Sequence, residues 1–516
     1  MRIFERYIVG ICLLTALSIP VFTQAAGFIP LTLKVDGRVC TVTPADLDGD
    51  GLLDLVVSYT AGVPPSAKPR IAIFFQRSAG VYPSTPDVDF LPPKGSCVYQ
   101  AGPTPEGRRA LWFFTSNSVM TIEANREGFA EPVLRLNKGS GVLFPAEEKL
   151  PQLELVRDWH SDGKPTLLLP EVGFLNFYVP NENGEYEAAE KIPCSMKYYT
   201  STLTQISSHS PGYLVSGSVT VPFPVLADAN ADGKADLFLV RDEQVVLHVL
   251  ENDRFSKKPA FSKFFNVRTE DEKRRENTGI TVLVQDLDGD NIADLVINKY
   301  GGNFTDINSQ IWIYEGTGKG FVAQPSFEMR EKGFAPITSQ SFLPLSSPPR
   351  CDFVLPYIEM GITTIARVLL TKRGSVKFTV YPPVSSGFYS TEKVSFSRNI
   401  TFDIDYGSGI SIVGIIPRLD KDFTGDGITD LFMGIDSETV AVFEGKKGGQ
   451  GQTFSSSPLV TAKVPASINS DLVDLDGDGL SDVIVFYTVD PAQAPIVKVL
   501  FNRFGKSKEK PATQSK

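Results

Sequence analysis

Five short acidic segments recur along the chain, and they constrain its fold more than any other feature of the sequence. They read DLDGDGLLDLVV, DANADGKADLFLV, DLDGDNIADLVI, DFTGDGITDLFM and DLDGDGLSDVIV, and they start at Asp46, Asp228, Asp286, Asp422 and Asp474. Each carries oxygen-bearing side chains at positions 1, 3, 5 and 9 and then continues into an apolar run. Position 6 is Gly, or Asn in the third segment, and both residue types tolerate the left-handed backbone of a tight turn. We call positions 1–9 of these segments the acidic loops.

Three weaker segments, starting at Gly102, Asp158 and Pro344, fill the gaps between the acidic loops. The eight starts then lie 52 to 78 residues apart. In most units an apolar strand leads into the loop, a continuous apolar strand follows it, and two further strands complete the unit. Four-stranded antiparallel units repeated around a centre are the blades of a β-propeller. We therefore predict an all-β propeller with eight blades; seven blades is the alternative.

The two ends of the chain predict how this ring closes. The segment FIPLTLKV (28–35) precedes the first loop and looks like a strand without a blade, while only two clear strands follow the last acidic loop. We expect the N-terminal strand to complete the C-terminal blade, which leaves no open sheet edge. The prediction is thus one domain over 27–505, preceded by a signal peptide (1–26) and followed by a basic flexible tail (506–516).

The N-terminus predicts export. Arg2 and Arg6 are followed by an apolar stretch (7–22) and by the small residues of TQAAG, which is typical of a cleaved signal peptide. We therefore expect a periplasmic, cell-surface or secreted protein. The alternative is an uncleaved anchor, which would be its membrane attachment.

Net charge and cysteine content limit the classes of partner and the disulfides that the chain can have. The formal net charge of -10 disfavours nucleic acid as a partner. Four cysteines follow the signal segment, and in an exported chain they either form two disulfides, in one of three pairings, or act as small buried hydrophobes. These cysteines are Cys40, Cys97, Cys194 and Cys351.

The acidic loops have the donor set of a hard divalent cation. Four side-chain oxygens and a backbone carbonyl at position 7 suit Ca²⁺, which takes 6–8 oxygen ligands. Zn²⁺ is disfavoured because the acidic loops contain no Cys or His, and Mg²⁺ prefers fewer carboxylates and more water. Solvated turns that merely favour Asp and Gly are the alternative, but five loops in register favour about five structural calcium ions. The predicted ligands are Asp46, Asp48, Asp50, Leu52 and Asp54; Asp228, Asn230, Asp232, Lys234 and Asp236; Asp286, Asp288, Asp290, Ile292 and Asp294; Asp422, Thr424, Asp426, Ile428 and Asp430; and Asp474, Asp476, Asp478, Leu480 and Asp482.

The pattern DxDxDGxxD before an apolar strand, repeated with propeller spacing, resembles the FG-GAP or VCBS repeats of integrin α-subunit propellers and of many exported bacterial proteins. The resemblance implies a calcium-binding propeller over most of 28–505. The three weaker segments depart from the pattern, so no metal is assigned to them. The resemblance does not define an activity, because one fold hosts many.

Function is predicted from where irregular loops lie on the scaffold. Loops such as 60–69, 299–308 and 488–496 fall on the face opposite the calcium loops, and variable loops on a rigid scaffold usually carry binding. We expect a non-catalytic adhesion or recognition module for a surface glycan or protein, with its ligand on that face. A spacer in a larger surface assembly is another interpretation.

The enzymatic alternative is a calcium-dependent polysaccharide lyase or hydrolase. Such a lyase needs a base and cationic groups beside a uronate. The candidates are His209, Tyr198, Tyr199, Tyr213 and Arg367. We interpret His160 and His248 as structural, and we assign no catalytic residue.

Overall fold

Antiparallel sheets that follow one another along the chain make up the structure, which is a computed structural model. It describes residues 27–504 except 64, 205–212, 276, 304–305, 386, 406–410, 450 and 489–493. The described strands form eight successive four-stranded meanders, one for each unit of the repeat. The predicted eight-bladed, all-β propeller is therefore confirmed.

Blades 1 to 4 occupy the first half of the chain. Their strands are Arg38–Ala45, Asp54–Ala61, Lys68–Phe74 and Val88–Phe90 in blade 1; Ser96–Pro103, Arg109–Thr115, Val119–Ile122 and Val133–Leu136 in blade 2; Val156–Arg157, Thr166–Glu171, Phe174–Pro180 and Tyr186–Pro193 in blade 3; and Phe223–Ala227, Asp236–Arg241, Gln244–His248 and Phe261–Phe264 in blade 4.

Blades 5 to 8 complete the ring. Their strands are Thr278–Gln285, Asp294–Asn303, Asp306–Tyr314 and Phe327–Glu331 in blade 5; Phe342–Ser347, Arg350–Glu359, Arg373–Tyr381 and Phe396–Asp405 in blade 6; Arg418–Lys421, Asp430–Asp436, Thr439–Phe443 and Val460–Lys463 in blade 7; and Ser467–Val473, Asp482–Thr488, Ile496–Asn502 and Phe28–Lys34 in blade 8. Two short strands, Gly333–Phe334 and Ser411–Val413, extend blade 6.

The hydrophobic core lies between the blades. Eight clusters of buried side chains occur in the described chain, and each joins one blade to the next. One of them packs Leu55 and Tyr59 of blade 1 against Ile484 and Val497 of blade 8, so the ring is closed by apolar contact as well as by pairing. The second strands read as continuous apolar runs because both of their faces are covered in this way.

The N-terminal strand closes the ring as predicted. Phe28–Lys34 pairs antiparallel with Ile496–Asn502, in a register that runs from Phe28 opposite Asn502 to Lys34 opposite Ile496. The Arg503 backbone N–H donates to the Gly27 carbonyl at 3.0 Å, which continues the pairing by one residue. The outer edge of the last sheet is thus made by the other end of the chain.

The meander places every acidic loop on one face, between the first and second strands of blades 1, 4, 5, 7 and 8. We call this the acidic-loop face; the links between the second and third strands and between blades lie on the opposite face. Short hairpins on the acidic-loop face follow the third strands of three blades: Ala124–Asn125 with Gly128–Phe129, Leu250–Glu251 with Arg254–Phe255, and Gly445–Gly448 with Gly451–Phe454.

The opposite face carries the larger insertions. A hairpin of Lys197–Thr204 and Tyr213–Thr220 links blades 3 and 4, helix α1 (Glu270–Arg275) links blades 4 and 5, and helix α2 (Ile362–Thr371) connects the second and third strands of blade 6. A single 3₁₀ turn, Ser339–Ser341, precedes blade 6. Over the described ranges, no helix has the length and apolar character needed to cross a bilayer.

The four cysteines predicted to pair or to pack are free thiols. Cys97 and Cys351 are buried, and Cys40 and Cys194 are half-buried, which favours the packing alternative. The predicted signal peptide and basic tail, together with His209, lie outside the described residues.

Candidate metal centres

The five acidic loops share one backbone conformation. Position 6 has φ of 66° to 86° in all five, including Asn291 at 66°. Position 4 is left-handed as well, even where it is Ala231, with φ of 60°. The carboxylate at position 1 holds this turn: in the first loop Asp46 accepts the N–H groups of Gly49 at 2.8 Å and Gly51 at 3.0 Å. The aspartate side chains are therefore positioned by the loop's own backbone.

The aspartate at position 9 ties two parts of its blade together. Asp54 accepts the N–H of Leu47 on one carboxylate oxygen and the N–H of Gln76, just after the third strand, on the other. The same pair of bonds recurs at 2.7–3.0 Å in all five blades. The remaining donors are Ala229 and Leu250 to Asp236; Leu287 and Gly316 to Asp294; Phe423 and Gly445 to Asp430; and Leu475 and Asn502 to Asp482.

These position-9 carboxylates are almost fully buried. Burial raises the pKa of Asp54, Asp294 and Asp482 to about 7, against the lowering effect of the two backbone donors. It raises the pKa of Asp430 to about 6 in the same way. In Asp54, Asp294 and Asp482 each carboxylate oxygen keeps a second lone pair, so the hydrogen bonds leave ligation open. In Asp430 only Oδ1 does, because Oδ2 also accepts the Thr424 N–H at 3.1 Å. Sequence reasoning predicted a ligand at position 9 but missed its role as a bridge to the third strand.

Three of the acidic loops bring three carboxylates together. Ligand oxygens lie within 4.8 Å of one another in the sets Asp46, Asp48 and Asp50; Asp286, Asp288 and Asp290; and Asp474, Asp476 and Asp482. In the other two loops position 3 is Asn230 or Thr424, and these side chains donate to Asp232 at 3.1 Å and to Asp422 at 3.2 Å. The predicted sites in blades 4 and 7 therefore have a weaker acidic set than those in blades 1, 5 and 8.

The donor set of these loops fits a hard divalent cation. Asp476 is only 8% exposed, and among the described residues its Oδ1 has no hydrogen-bond partner, so a buried oxygen is left without a donor beside two other carboxylates. Burial, followed by the charge of Asp290, raises the pKa of Asp288, and burial, followed by the charge of Asp50, raises that of Asp48. Like charges held this close favour a cation with several oxygen ligands.

Two arginines that sequence reasoning missed reach into these clusters. Arg503 lies 2.6 Å from Asp476 and 3.4 Å from Asp478. Arg126, on a hairpin of the neighbouring blade, lies 3.1 Å from Asp48 and pairs with Asp50. The neighbouring charges that act on the Asp288 carboxyl in blade 5 are the carboxylates of Asp290, Asp286 and Glu315, and among the described residues no arginine or lysine pairs with it. The blade 5 loop is thus the three-carboxylate cluster without a guanidinium against it.

The weak loop of blade 3 shows that the turn forms without the full acidic set. Asp158 still accepts the N–H groups of positions 5 and 6, at 3.0 and 2.9 Å. His160 at position 3 is buried 3.0 Å from the Glu190 carboxylate, and its Nδ1 lies 3.2 Å from the Thr166 hydroxyl at position 9. The interpretation of His160 as structural fits this buried contact.

Of the residues named for a lyase, those that the structure describes lie on different blades. Tyr198 and Tyr199 are exposed on the hairpin between blades 3 and 4, whereas Arg367 lies on α2 of blade 6 and donates to the Ser375 hydroxyl at 3.2 Å. His209 and the side chain of Tyr213 lie outside the described part of the chain. His248 is buried, with Nδ1 2.7 Å from the Ser256 carbonyl, which fits a structural role.

Comparison with known proteins supports the repeat. Residues 422–485, which hold the acidic loops of blades 7 and 8, match the family of the FG-GAP-like repeat. The predicted resemblance to FG-GAP repeats is confirmed for that segment, and the chain is a β-propeller with an FG-GAP-like repeat. No curated protein sequence matches the chain.

Solved structures that resemble the chain are distant from it. The Dos1 propeller is 8% identical, with 93% of this chain and 96% of that one covered and a TM-score of 0.39. The V. cholerae biofilm matrix protein Bap1 is 11% identical, with coverage of 92% and 88% and a TM-score of 0.30. The periplasmic gluconolactonase of Pseudomonas aeruginosa is 13% identical, with coverage of 68% and 86% and a TM-score of 0.33. At these scores the likenesses carry no argument, and the fold follows from the strand pairing and the clusters between blades.

Proposed function

We propose that the protein is an exported, calcium-stabilised propeller that acts as a non-catalytic recognition module for a glycan or protein at a cell surface or matrix. Its ligand binds the opposite face, away from the acidic loops. A rigid ring with one face of regular turns and one of irregular insertions suits this role, because binding residues lie most often on loops held by a rigid scaffold.

The observation that carries this proposal is the set of large apolar side chains exposed on the opposite face. Leu370 on α2 is 86% exposed and Val63, between the second and third strands of blade 1, is 73% exposed. Ile362, Leu369 and Leu370 are exposed together on α2, and such a group favours a binding role over a solvated spacer. Others at this face are Val172, Tyr198, Tyr199, Phe223, Ile362, Leu369, Ile416 and Ile435.

Calcium enters the proposal as a structural ion. When bound, it would neutralise the carboxylates at positions 1, 3 and 5. Position 9 already joins the loop to the third strand, so a loop stiffened by the ion would also stiffen its blade. The close carboxylate clusters of blades 1, 5 and 8 support this role.

A binding screen on glycan arrays and cell surfaces tests the proposal. We expect Leu369→Asp with Leu370→Asp, or Tyr198→Ala with Tyr199→Ala, to abolish binding, because each pair removes exposed apolar contacts. The matched control is Val81→Asp, since Val81 is also exposed but lies on the acidic-loop face. Binding that survives both pairs would overturn the placement, and release of unsaturated sugar ends from acidic polysaccharides would favour the lyase instead.

A further inference from the structure

A cavity of about 380 Å³ opens between blades 1 and 2 on the acidic-loop face. One wall is the first acidic loop, through Leu47 and Asp48. The floor is formed by Arg108 and Arg109, at the start of the second strand of blade 2. The other wall is the hairpin from Glu123 to Ala130. This volume lies in the range of sites for small ligands.

The hairpin wall is held in place from both sides. The Arg126 side chain binds Asp48, Asp50 and the Gln76 carbonyl of blade 1, the last at 2.8 Å. At its base the Ala130 N–H donates to the Glu123 carbonyl at 2.9 Å. The cavity is therefore formed before any ligand arrives, which lowers the entropy cost of binding.

An aromatic ring offers a flat surface at the rim. Phe129 lines the cavity and is 51% exposed, yet its ring stacks on Phe90 with centroids 4.6 Å apart and planes 25° apart. A half-exposed ring fixed from behind leaves one apolar face available. Such a face suits the C–H side of a sugar ring, whose hydroxyls then point to the polar groups around it.

The lining is mixed in charge, with Asp48, Glu123 and Glu127 beside Arg108 and Arg109, so an anion would have to bind at a particular guanidinium. Arg108 is neutralised by Glu123, with 2.8 Å between Nη1 and Oε2, and Asp48 is neutralised by Arg126. Among the described residues, the Arg109 guanidinium has neither an ion pair nor a hydrogen bond. A guanidinium next to a cavity binds carboxylates in a bidentate manner.

We propose that this cavity binds an acidic sugar residue, with its carboxylate on Arg109, its ring on Phe129 and its hydroxyls on Glu123 and Asn125. The proposal rests on the proposed function as a recognition module and adds a second, distinct site on the acidic-loop face. It names a uronate-containing glycan as the ligand class.

Calorimetric titration with trisaccharides of galacturonate, mannuronate and guluronate tests the site. We expect at least one to bind, its methyl ester to bind about ten- to a hundred-fold more weakly, and Arg109→Gln to lose a similar factor, since a charge-assisted hydrogen bond contributes about 1.5–3 kcal/mol. Phe129→Ala should also weaken binding about tenfold. The matched control is Arg274→Gln on α1, an exposed arginine on the opposite face, which should leave binding unchanged.

The outcomes separate this site from the proposed function. Arg109→Gln removes a side chain without a partner, so its melting temperature should equal that of the wild type and a loss of binding cannot be attributed to unfolding. The titrations are run in calcium and in EDTA, so that the result does not depend on metal binding. Failure of all three trisaccharides to bind, or equal binding by Arg109→Gln, overturns the site. Binding that instead disappears in the α2 variants would leave the proposed function standing.

Discussion

The Arg503 guanidinium lies against Asp476, with Nη2 2.6 Å from Oδ2, and both side chains are nearly buried. This pair places a cation from the protein itself in a loop predicted to bind a cation from solution. Blade 1 repeats the arrangement with Arg126 and Asp48, whereas the charges next to Asp288 in blade 5 are the carboxylates of Asp290, Asp286 and Glu315. The acidic loops therefore differ in how much of their charge the protein has already neutralised.

Removing calcium should destabilise the whole ring. We expect the melting temperature of residues 27–516 to fall by at least about 5 °C when millimolar calcium is replaced by EDTA, because ligands that bind only the folded state stabilise it by mass action. Differential scanning calorimetry checks this. Identical melting in the two buffers would contradict calcium binding by the loops.

Arg503→Gln should act differently with and without calcium. In EDTA it removes the guanidinium that lies against the buried Asp476 carboxylate, and we expect a loss of about 3 kcal/mol in the free energy of unfolding. In calcium the loss should be smaller, because the ion would neutralise the same carboxylate. Urea unfolding in both buffers measures this. The control is Arg330→Gln, which removes an exposed ion pair with Glu328. Equal losses in both buffers would show that Arg503 and calcium do not share the site.

Two aspartates of one loop should give opposite results. Asp288→Asn removes a like charge from the blade 5 cluster, so in EDTA it should raise the melting temperature while reducing the response to calcium. Asp294→Asn replaces an oxygen that accepts a buried backbone N–H, from Leu287 or Gly316, and should cost about 2 kcal/mol in EDTA and more in calcium, where a predicted ligand is also lost. Thermal melts of both variants provide the measurement. If Asp288→Asn were destabilising in EDTA, repulsion in this cluster would be excluded.

Lowering the pH should destabilise the protein partly through the buried His248. Burial lowers its pKa below the ordinary 6.5, so the unfolded chain takes up this proton before the folded protein does. Its contribution to stability is therefore complete above pH 6.5 and is lost as the pH falls through the folded pKa. Between about pH 7.5 and about pH 5, the wild type should lose more stability than His248→Phe, measured by urea unfolding.

The carboxyl groups whose pKa is raised by burial change the stability in the opposite direction as the pH falls. They are present in both proteins, so their effect cancels in the comparison. Parallel pH curves for wild type and His248→Phe would rule out a neutral buried imidazole.

The blades could be predicted from sequence because each acidic loop fixes the start of a second strand, and the regular spacing located the three weaker units. The acidic side chains that the loops bring together were equally predictable, since their order along the chain is their order around the turn. The contacts of Arg126 and Arg503 were not, because they depend on hairpins and strand ends after the third strands. Those segments share no length or motif, so nothing in the sequence indicates which carboxylate they approach.

The strand Phe28–Lys34 brings Gly27 beside Arg503, at the end of the third strand of blade 8, where the acidic loops lie. Both ends of the described chain thus exit from the same side of the wheel and at the same blade. A tether joined to either end would attach to the acidic-loop face, and the opposite face, with α2 and the exposed tyrosines, would then point away from the tether.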